Sequence, residues 1–384
     1  MINLLRISSL YQGFIEDFKK KNFDINVLKY SEYINRFFSE NYSVSNNYSK
    51  AFSKIGYNCN EIIENFDLLQ KLWLSEYGNN KSKTEILFQQ INFYRPNIIF
   101  LGNPNILTEN FYLFCKEKDF IKKILCFHCA PLNEKIILNM SRADGILTCT
   151  EGYKVFFEKK LNKKVLKIYH AFSQNSKIKD SKIREIDISF IGSVFLGDKL
   201  HDDRIKMLYE VSKEFKNIFF SINFANFLIP KVISYFLKNI FSKPIESILI
   251  IYKYFYLFFR YRNKVYGNKM YEILSNTKIL INIHIGDTEH AGNMRMFEGT
   301  GSGCMLLTDK KKDNDKLFST NKERKDIEVY ESSEDLVKKI KFYLGNKSQL
   351  NLIAKNGRET TLKFHNYDLR VKQISNYINN LMNY

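Results

Sequence analysis

Short runs of apolar, largely β-branched residues recur along the chain, and each is followed by a longer segment whose apolar positions return every three or four residues. The runs suit strands buried on both faces and the longer segments suit crossover helices, so the alternation predicts parallel sheets. In the first half the predicted strands are residues 4–7, 97–101, 123–127, 145–149 and 165–168. Thr150 follows the fourth directly and predicts an N-cap for a helix starting at Glu151, its hydroxyl accepting from a first-turn amide. The second half repeats the pattern with strands at 187–193, 218–222, 278–285, 304–308 and 327–330, and Ser332-Ser333-Glu334-Asp335 has the form of a capping box. A last helix over about 367–383 has apolar residues at helical spacing and is expected to pack back on the first domain.

A polar, lysine-rich break over 173–185 separates the halves. The expected organisation is a first domain at 1–172, a linker at 173–186, a second domain at 187–365 and a C-terminal helix at 366–384. A chain of 384 residues exceeds one ordinary core, which fits two domains of roughly 150 to 200 residues each. An insertion at about 224–265 interrupts the alternation. Between 224 and 269 there are eight Lys or Arg against one acidic residue, interleaved with Phe, Tyr, Ile and Leu. Residues 228–241 put Lys231 and Lys238 on one helical face and Val232, Tyr235 and Phe236 towards another. Two readings stand side by side: a basic amphipathic helix lying on an anionic membrane surface, and a core helix pair with solvated lysines.

Hydrophobic content of 45% with 15% aromatic residues excludes a disordered chain. The formal charge of +18 suits nucleic acid, anionic lipid or phosphorylated ligands. No recognised nucleic-acid motif accompanies the charge, and no nucleic-acid partner is expected. The richness in Lys, Asn, Ile, Tyr and Phe with little Ala or Pro also suits an AT-rich coding sequence. Cysteines at 59, 115, 126, 129, 149 and 304 sit largely in apolar runs and are expected to be reduced core residues of a cytoplasmic protein. Cys126-Phe127-His128-Cys129 has the spacing of half a zinc site, but no second pair follows, so no metal is expected. The first seven residues turn polar too soon for a signal peptide. No stretch reaches the 18 or so uncharged apolar residues of a membrane span; the nearest, 245–259, contains Glu246 and Lys253.

The most telling block runs from Gly292 to Asp309: a helix carrying one carboxylate, a glycine turn and a buried strand. Amides at the start of such a helix are unpaired and lie at the positive end of its dipole, so they can hold a diphosphate. Glu298, one turn on, can accept from ribose hydroxyls, and Gly299, Gly301 and Gly303 let the backbone turn sharply. Alone, the same order also serves any α/β protein.

Together with Tyr30-Ser31-Glu32-Tyr33, Tyr48-Ser49-Lys50-Ala51-Phe52, Leu69-Gln70-Lys71-Leu72-Trp73, Arg95-Pro96-Asn97, His170-Ala171-Phe172, Phe190-Ile191-Gly192-Ser193, Tyr266-Gly267-Asn268-Lys269-Met270-Tyr271 and His365-Asn366-Tyr367, this block resembles a bacterial glycosyltransferase family related to spore maturation proteins, with a C-terminal group 1 type glycosyl transferase domain. The resemblance implies a GT-B architecture: an α/β fold of two Rossmann-like domains with parallel sheets facing across a cleft. It implies a nucleotide-sugar donor held mainly by the second domain, a glycan or lipid-linked acceptor, no metal and no separate cofactor. Related transferases often carry two glutamates eight positions apart; Glu298 matches the second, while the first falls on His290 beside Glu289. The expected donor-binding residues are Gly192, Ser193, Arg204, Gly292, Asn293, Met294, Arg295 and Glu298, with Lys206 as a further cation. An i,i+3 ion pair with Glu298 is the competing role for Arg295. Histidine is the usual proton shuttle near neutral pH, and His128 and His290 are the expected catalytic residues. His170 is placed at the interdomain crossing, His284 is read as packed, and His201 and His365 as peripheral. The expected activity is sugar transfer in the cytoplasm, at the inner membrane face. The alternatives are an inactive GT-B binding protein at the membrane surface and, from charge alone, a nucleic-acid binder.

Overall fold

The structure is a computed structural model that describes residues 2–383 apart from 23–28, 79–82, 174–182, 198, 225–228, 240, 262 and 286–288. The chain divides into two compact units, residues 1–175 with 365–384, and residues 176–364. Each is built on one wholly parallel sheet. The first has the order β2-β1-β3-β4-β5-β6, from β1 (Asn3–Ser8), β2 (Asn58–Ile63), β3 (Ile98–Leu101), β4 (Lys123–Phe127), β5 (Gly145–Thr148) and β6 (Val165–Lys167). The second has the order β11-β10-β9-β7-β8, from β7 (Ile186–Ser193), β8 (Ile218–Asn223), β9 (Thr277–Asn282), β10 (Met305–Asp309) and β11 (Glu328–Tyr330). Strands buried on both faces by crossover helices explain the near-continuous apolar runs: Leu5, Ile99 and Leu101 are buried on one sheet, and Ile279, Ile281 and Leu307 on the other. Both are Rossmann-like.

β2 is the strand that the apolar pattern does not announce. Its first four residues, Asn58-Cys59-Asn60-Glu61, are polar or small. In parallel register Arg6 of β1 lies beside Glu61, and the two form a buried ion pair at 2.8 Å. Burial pushes the Glu61 carboxyl up and Arg6 opposes it, so the pair offsets a desolvation cost that either charge alone would carry. The rings of Tyr48 and Phe100 lie 5.3 and 5.9 Å from the guanidinium.

The helix Tyr367–Met382 closes the first unit. Val371, Ile374 and Ile378 are fully buried in one cluster with Leu4, Ile98, Leu125 and Leu147. Its Arg370 donates to the carbonyls of Tyr169 and His170 and meets His365 Nδ1 at 2.8 Å. His365 is therefore a buried joint rather than a peripheral residue, and His201 is also buried, accepting from the Phe195 amide. Most of the expected linker falls outside the described residues. β9 stops at Asn282 rather than continuing to Ile285, because His284 turns inward to meet Asp309. Thr150 and Ser332 cap their helices through the Tyr153 and Asp335 amides. The reciprocal bond of a capping box is missing at Ser332, since Asp335 accepts from Glu331 instead.

In the insertion, helices Ile229–Asn239 and Pro244–Arg260 form a pair. Leu228 and the Lys231 side chain lie outside the described residues. Ile250, Tyr254 and Leu257 join the core of the second unit beside Ile205 and Leu208 of helix Lys199–Glu214.

Candidate functional site

In a parallel sheet every strand ends at the same edge, and ligands of such folds bind beyond those carboxyl ends. In the second unit that edge carries a buried polar network. Tyr330 donates to the Asn282 carbonyl at 3.0 Å, Asn282 to Thr308 at 2.9 Å, and Asn293 to Asn282 at 2.9 Å. His284 Nδ1 meets Asp309 at 2.6 Å, and Lys311 approaches the same carboxylate at 3.1 Å. Burial pushes the Asp309 carboxyl up, but the His284 hydrogen bond and the neighbouring charges outweigh it and hold it down to about 2.

The network fixes the entry to helix Met294–Gly301. The Ala291 amide donates to Asp313 at 2.6 Å and the Gly292 amide to His284 Nε2 at 3.3 Å. With Nε2 accepting, the His284 proton sits on Nδ1 and points at Asp309. Gly292 takes φ +145°, where an L side chain is strained. These two amides are thus committed to protein groups and are not the anion donors that the sequence suggests. The open ones are those of Met294 and Arg295, for which no acceptor exists among the described residues. Asn293 is the N-cap, and its Oδ1 is buried without a partner.

One turn on, Glu298 is 4% exposed. Arg295 Nη1 pairs with it at 2.6 Å and Tyr271 donates to it. Burial pushes this carboxyl up and those two partners oppose it. The i,i+3 pair weighed from sequence is therefore present, and Arg295 also reaches across to the Ile191 carbonyl of β7 at 3.2 Å. The helix sits so close to the sheet that a Cβ on Gly299 would lie 2.1 Å from Leu280 Cδ2.

Arg204 is buried and donates to the Ser193 carbonyl at 2.7 Å and to that of Ile283. It ties the ends of β7 and β9, with no carboxylate paired to it among the described residues. Burial lowers its guanidinium to about 10. Its Nη groups are spent on backbone, so it braces Ser193 rather than offering a free fork to phosphate. Gly192 leaves room for the Phe190 ring, which a Cβ would meet at 2.7 Å. Lys206 is turned away, paired with Glu246 at 2.8 Å. The acidic pairs Asp202-Asp203 and Asp313-Asn314-Asp315 are engaged within the protein: Asp202 accepts from Tyr235, Asp313 from Ala291 and Asp315 from Thr320.

In the first unit, His128 directly follows β4. Its ring is buried and bonded to the backbone of Ala130 and Pro131. Burial lowers its pKa, those hydrogen bonds opposing. Nε2 is buried without a partner, so the neutral ring presents a bare acceptor, the form a general base requires. His290 is half-buried beside Ala291, and residues 286–288 before it are outside the described residues. His170 lies edge-on to Phe127, and burial with the Arg370 charge lowers it to about 4.

Not all six cysteines are free thiols, contrary to the expectation from sequence. Cys129 and Cys149 follow the adjacent strands β4 and β5 and are joined as a disulfide, their Cα atoms 5.6 Å apart; Cys59, Cys115, Cys126 and Cys304 are free. Cys126 faces the core, so the sequence-adjacent pair does not converge. The ligand atoms of Cys129, Cys149 and His170 lie within 4.8 Å of one another, but a disulfide leaves no thiolate for a metal. A separate cavity of about 590 Å³, lined by Arg184, Lys278, Gly303 and Arg358, lies at the opposite edge of the second sheet. Its Arg184 is spent on the carbonyls of Leu274, Thr277 and Ser302, and its Lys278 on Asp187.

Residues 249–376 match the glycosyl transferase-like family, which covers Arg295, Glu298 and the strand edge around them. No curated protein matches the chain. Among solved structures, Anabaena Alr3699/HepE, determined with UDP and glucose, is 9% identical with a TM-score of 0.59, over 99% of this chain and 100% of that one. A glycosyltransferase from Rickettsia africae is 12% identical with a TM-score of 0.56, over 99% and 98%. S. aureus TarM, determined with UDP, is 14% identical with a TM-score of 0.52 over 79% of this chain, which spans only 59% of TarM. At these identities the likeness is one of fold, and the fold is that of GT-B glycosyltransferases. The resemblance to spore maturation proteins rests on the sequence motifs alone.

Proposed function

We propose that the protein is a glycosyltransferase that moves a sugar from a nucleotide-sugar donor to a glycan or lipid-linked acceptor without a metal ion. The observation that carries this reading is Glu298: a buried carboxylate, clamped by Arg295 and Tyr271, one turn inside a helix whose first amides are open. An ionised carboxylate has about four acceptor sites, so two protein donors leave capacity for the hydroxyls of a ribose. The Met294 and Arg295 amides face the positive end of the helix dipole and suit the adjoining diphosphate. Transfer through an oxocarbenium-like state requires negative charge on the departing diphosphate to be stabilised. The Arg295 guanidinium and the helix amides supply that stabilisation, and Asn293 and the Ser193 edge complete the donor pocket. His128 takes the proton of the acceptor hydroxyl, and His290 stands where relatives place a glutamate near the sugar. UDP-glucose and UDP found in structural neighbours make UDP-sugars the first donors to try.

We place the activity in the cytoplasm at the inner membrane face; no helix among the described residues is long and apolar enough to cross a membrane. A second reading, a GT-B protein that binds but does not turn over, is favoured by one feature, His290 in the glutamate position. Donor screening decides between them. UDP-, GDP-, CMP- and dTDP-sugars are tested for hydrolysis and transfer, with Glu298→Ala and Arg295→Ala as controls. Turnover that collapses in both variants supports the assignment. Turnover equal to wild type in both removes the site, and nucleotide binding without any turnover favours the second reading.

A further inference from the structure

Helix Pro244–Arg260 is apolar around nearly its whole circumference. Ser247, Ile250, Tyr254 and Leu257 mark the face buried in the second unit. Ile245, Ile248, Tyr252 and Phe259, with Leu249 beside them, repeat at spacings of three, four and seven, half a turn away, and all are exposed. The exposure is large: Ile245 is 74% and Phe259 68% accessible. Ile233 and Leu237 form a second exposed pair on helix Ile229–Asn239, and the turn between the helices presents Phe241 at 98%. A continuous apolar strip of this extent on a folded surface marks an interaction site.

We infer that this helical hairpin docks flat on an anionic lipid bilayer, with Phe241, Ile245 and Ile248 entering the headgroup boundary. Charge selects the occupant. Residues 229–264 contain seven Lys or Arg and a single acid, Glu246, with Lys253 alone turned inward to pair with Glu210 among the described side chains. Lys238 and Lys243 flank Phe241, and Arg260 lies at the far end of the strip, 3.9 Å from the Tyr256 ring. A second copy of this chain, itself at +18, would bring like charges together, whereas acidic headgroups around an apolar wedge satisfy both features. The long helix, at about 25 Å for its 17 residues, lies along such a surface with its aromatic side chains at the depth where Tyr and Trp settle. The inference stands apart from the sugar chemistry, because its readout is vesicle binding alone.

The test is co-sedimentation of the full chain with phosphatidylcholine vesicles and with vesicles containing phosphatidylglycerol. Wild type is expected to bind the anionic vesicles, and more weakly as salt is raised. Phe241→Ser with Ile248→Ser is expected to weaken the vesicle-binding constant at least about tenfold, and Lys238→Glu with Lys243→Glu to weaken it through charge. All these positions are exposed, so thermal unfolding should match wild type and serves as the folding control. Equal binding by wild type and variants, failure to bind anionic vesicles, or equal binding to neutral ones would each overturn the inference. An oligomer in gel filtration that the Phe241→Ser and Ile248→Ser changes dissociate, without vesicle binding, would assign the strip to a second copy instead.

Discussion

Arg295→Ala separates a structural clamp from a pure ligand contact. In the folded chain Glu298 is buried, and its charge is balanced by Arg295 at 2.6 Å and by the Tyr271 hydroxyl. Removing one partner of a buried pair usually costs about 3–5 kcal/mol when the remaining charge stays ionised. The escape is protonation: from an ordinary value of 4.5, protonating the carboxyl at pH 7 costs about 3 kcal/mol, at 1.36 kcal/mol per unit. The loss is therefore capped near that figure. For a unit the size of residues 176–364 it corresponds to a fall in melting temperature of roughly 6–12 °C. The sign with pH follows from the same carboxyl. A folded-state pKa above the unfolded one means that the folded state binds the proton more tightly, so stability falls as pH rises through that range. The deficit of Arg295→Ala should thus shrink at pH 5 and be full at pH 8, and adding Glu298→Gln should restore most of it. Thermal unfolding by circular dichroism at several pH values measures all three. If Arg295→Ala melts with wild type at every pH, the clamp is not where the structure puts it, and Arg295 acts only on a ligand.

His128→Gln is expected to lower transfer by about 10²–10⁴-fold with little change in donor KM. Because burial lowers its pKa from the ordinary 6.5, the acid limb of the wild-type rate should be centred below 6.5; an acid limb centred above 6.5 would contradict the assignment. Asp309→Asn should cost roughly 2 kcal/mol, the worth of holding a carboxyl near 2 rather than 3.8. With the folded value below the unfolded one, that stability is present above pH 4 and lost as pH falls to 2, so urea curves of wild type and variant should converge in acid. Gly299→Ala forces a Cβ onto Leu280 and should destabilise by about 1–3 kcal/mol while weakening nucleotide binding, since the helix that carries Glu298 must lift; an unchanged melting temperature and affinity would refute the close approach. Thiol titration of denatured, unreduced protein should count four reactive cysteines, and six would mean that Cys129 and Cys149 are not joined.

The parallel sheets were legible because strands buried on both faces leave unbroken apolar runs. That signal fails at β2, whose Glu61 is buried by pairing with Arg6, a partner 55 residues away that no local pattern reveals. The helix bearing Glu298 and the role of Arg295 as its ion partner were readable from i,i+3 spacing. What spacing does not show is the support behind them. His284 reads as a strand residue, yet it bridges Asp309 to the Gly292 amide, and Asp313 sits in a lysine-rich loop yet fixes Ala291. Both depend on strand ends brought together by the sheet order. The charge of Arg204 suggests a phosphate partner, while its neighbours are the backbone carbonyls of Ser193 and Ile283, which no local pattern pairs with it. The Cys129–Cys149 contact likewise follows from β4 and β5 being neighbours, whereas the suggestive spacing of Cys126 and Cys129 misleads because the two point to different faces.

Isothermal titration of the full chain with UDP, and in turn with GDP, CDP, ADP and dTDP, against Glu298→Gln reaches the central claim most directly. The account predicts that one of these nucleotides binds wild type and that Glu298→Gln, folded as judged by its melting curve, loses at least about tenfold in affinity, as one charge-assisted hydrogen bond is worth. Equal affinity in the variant, or no nucleotide binding at all, would contradict it.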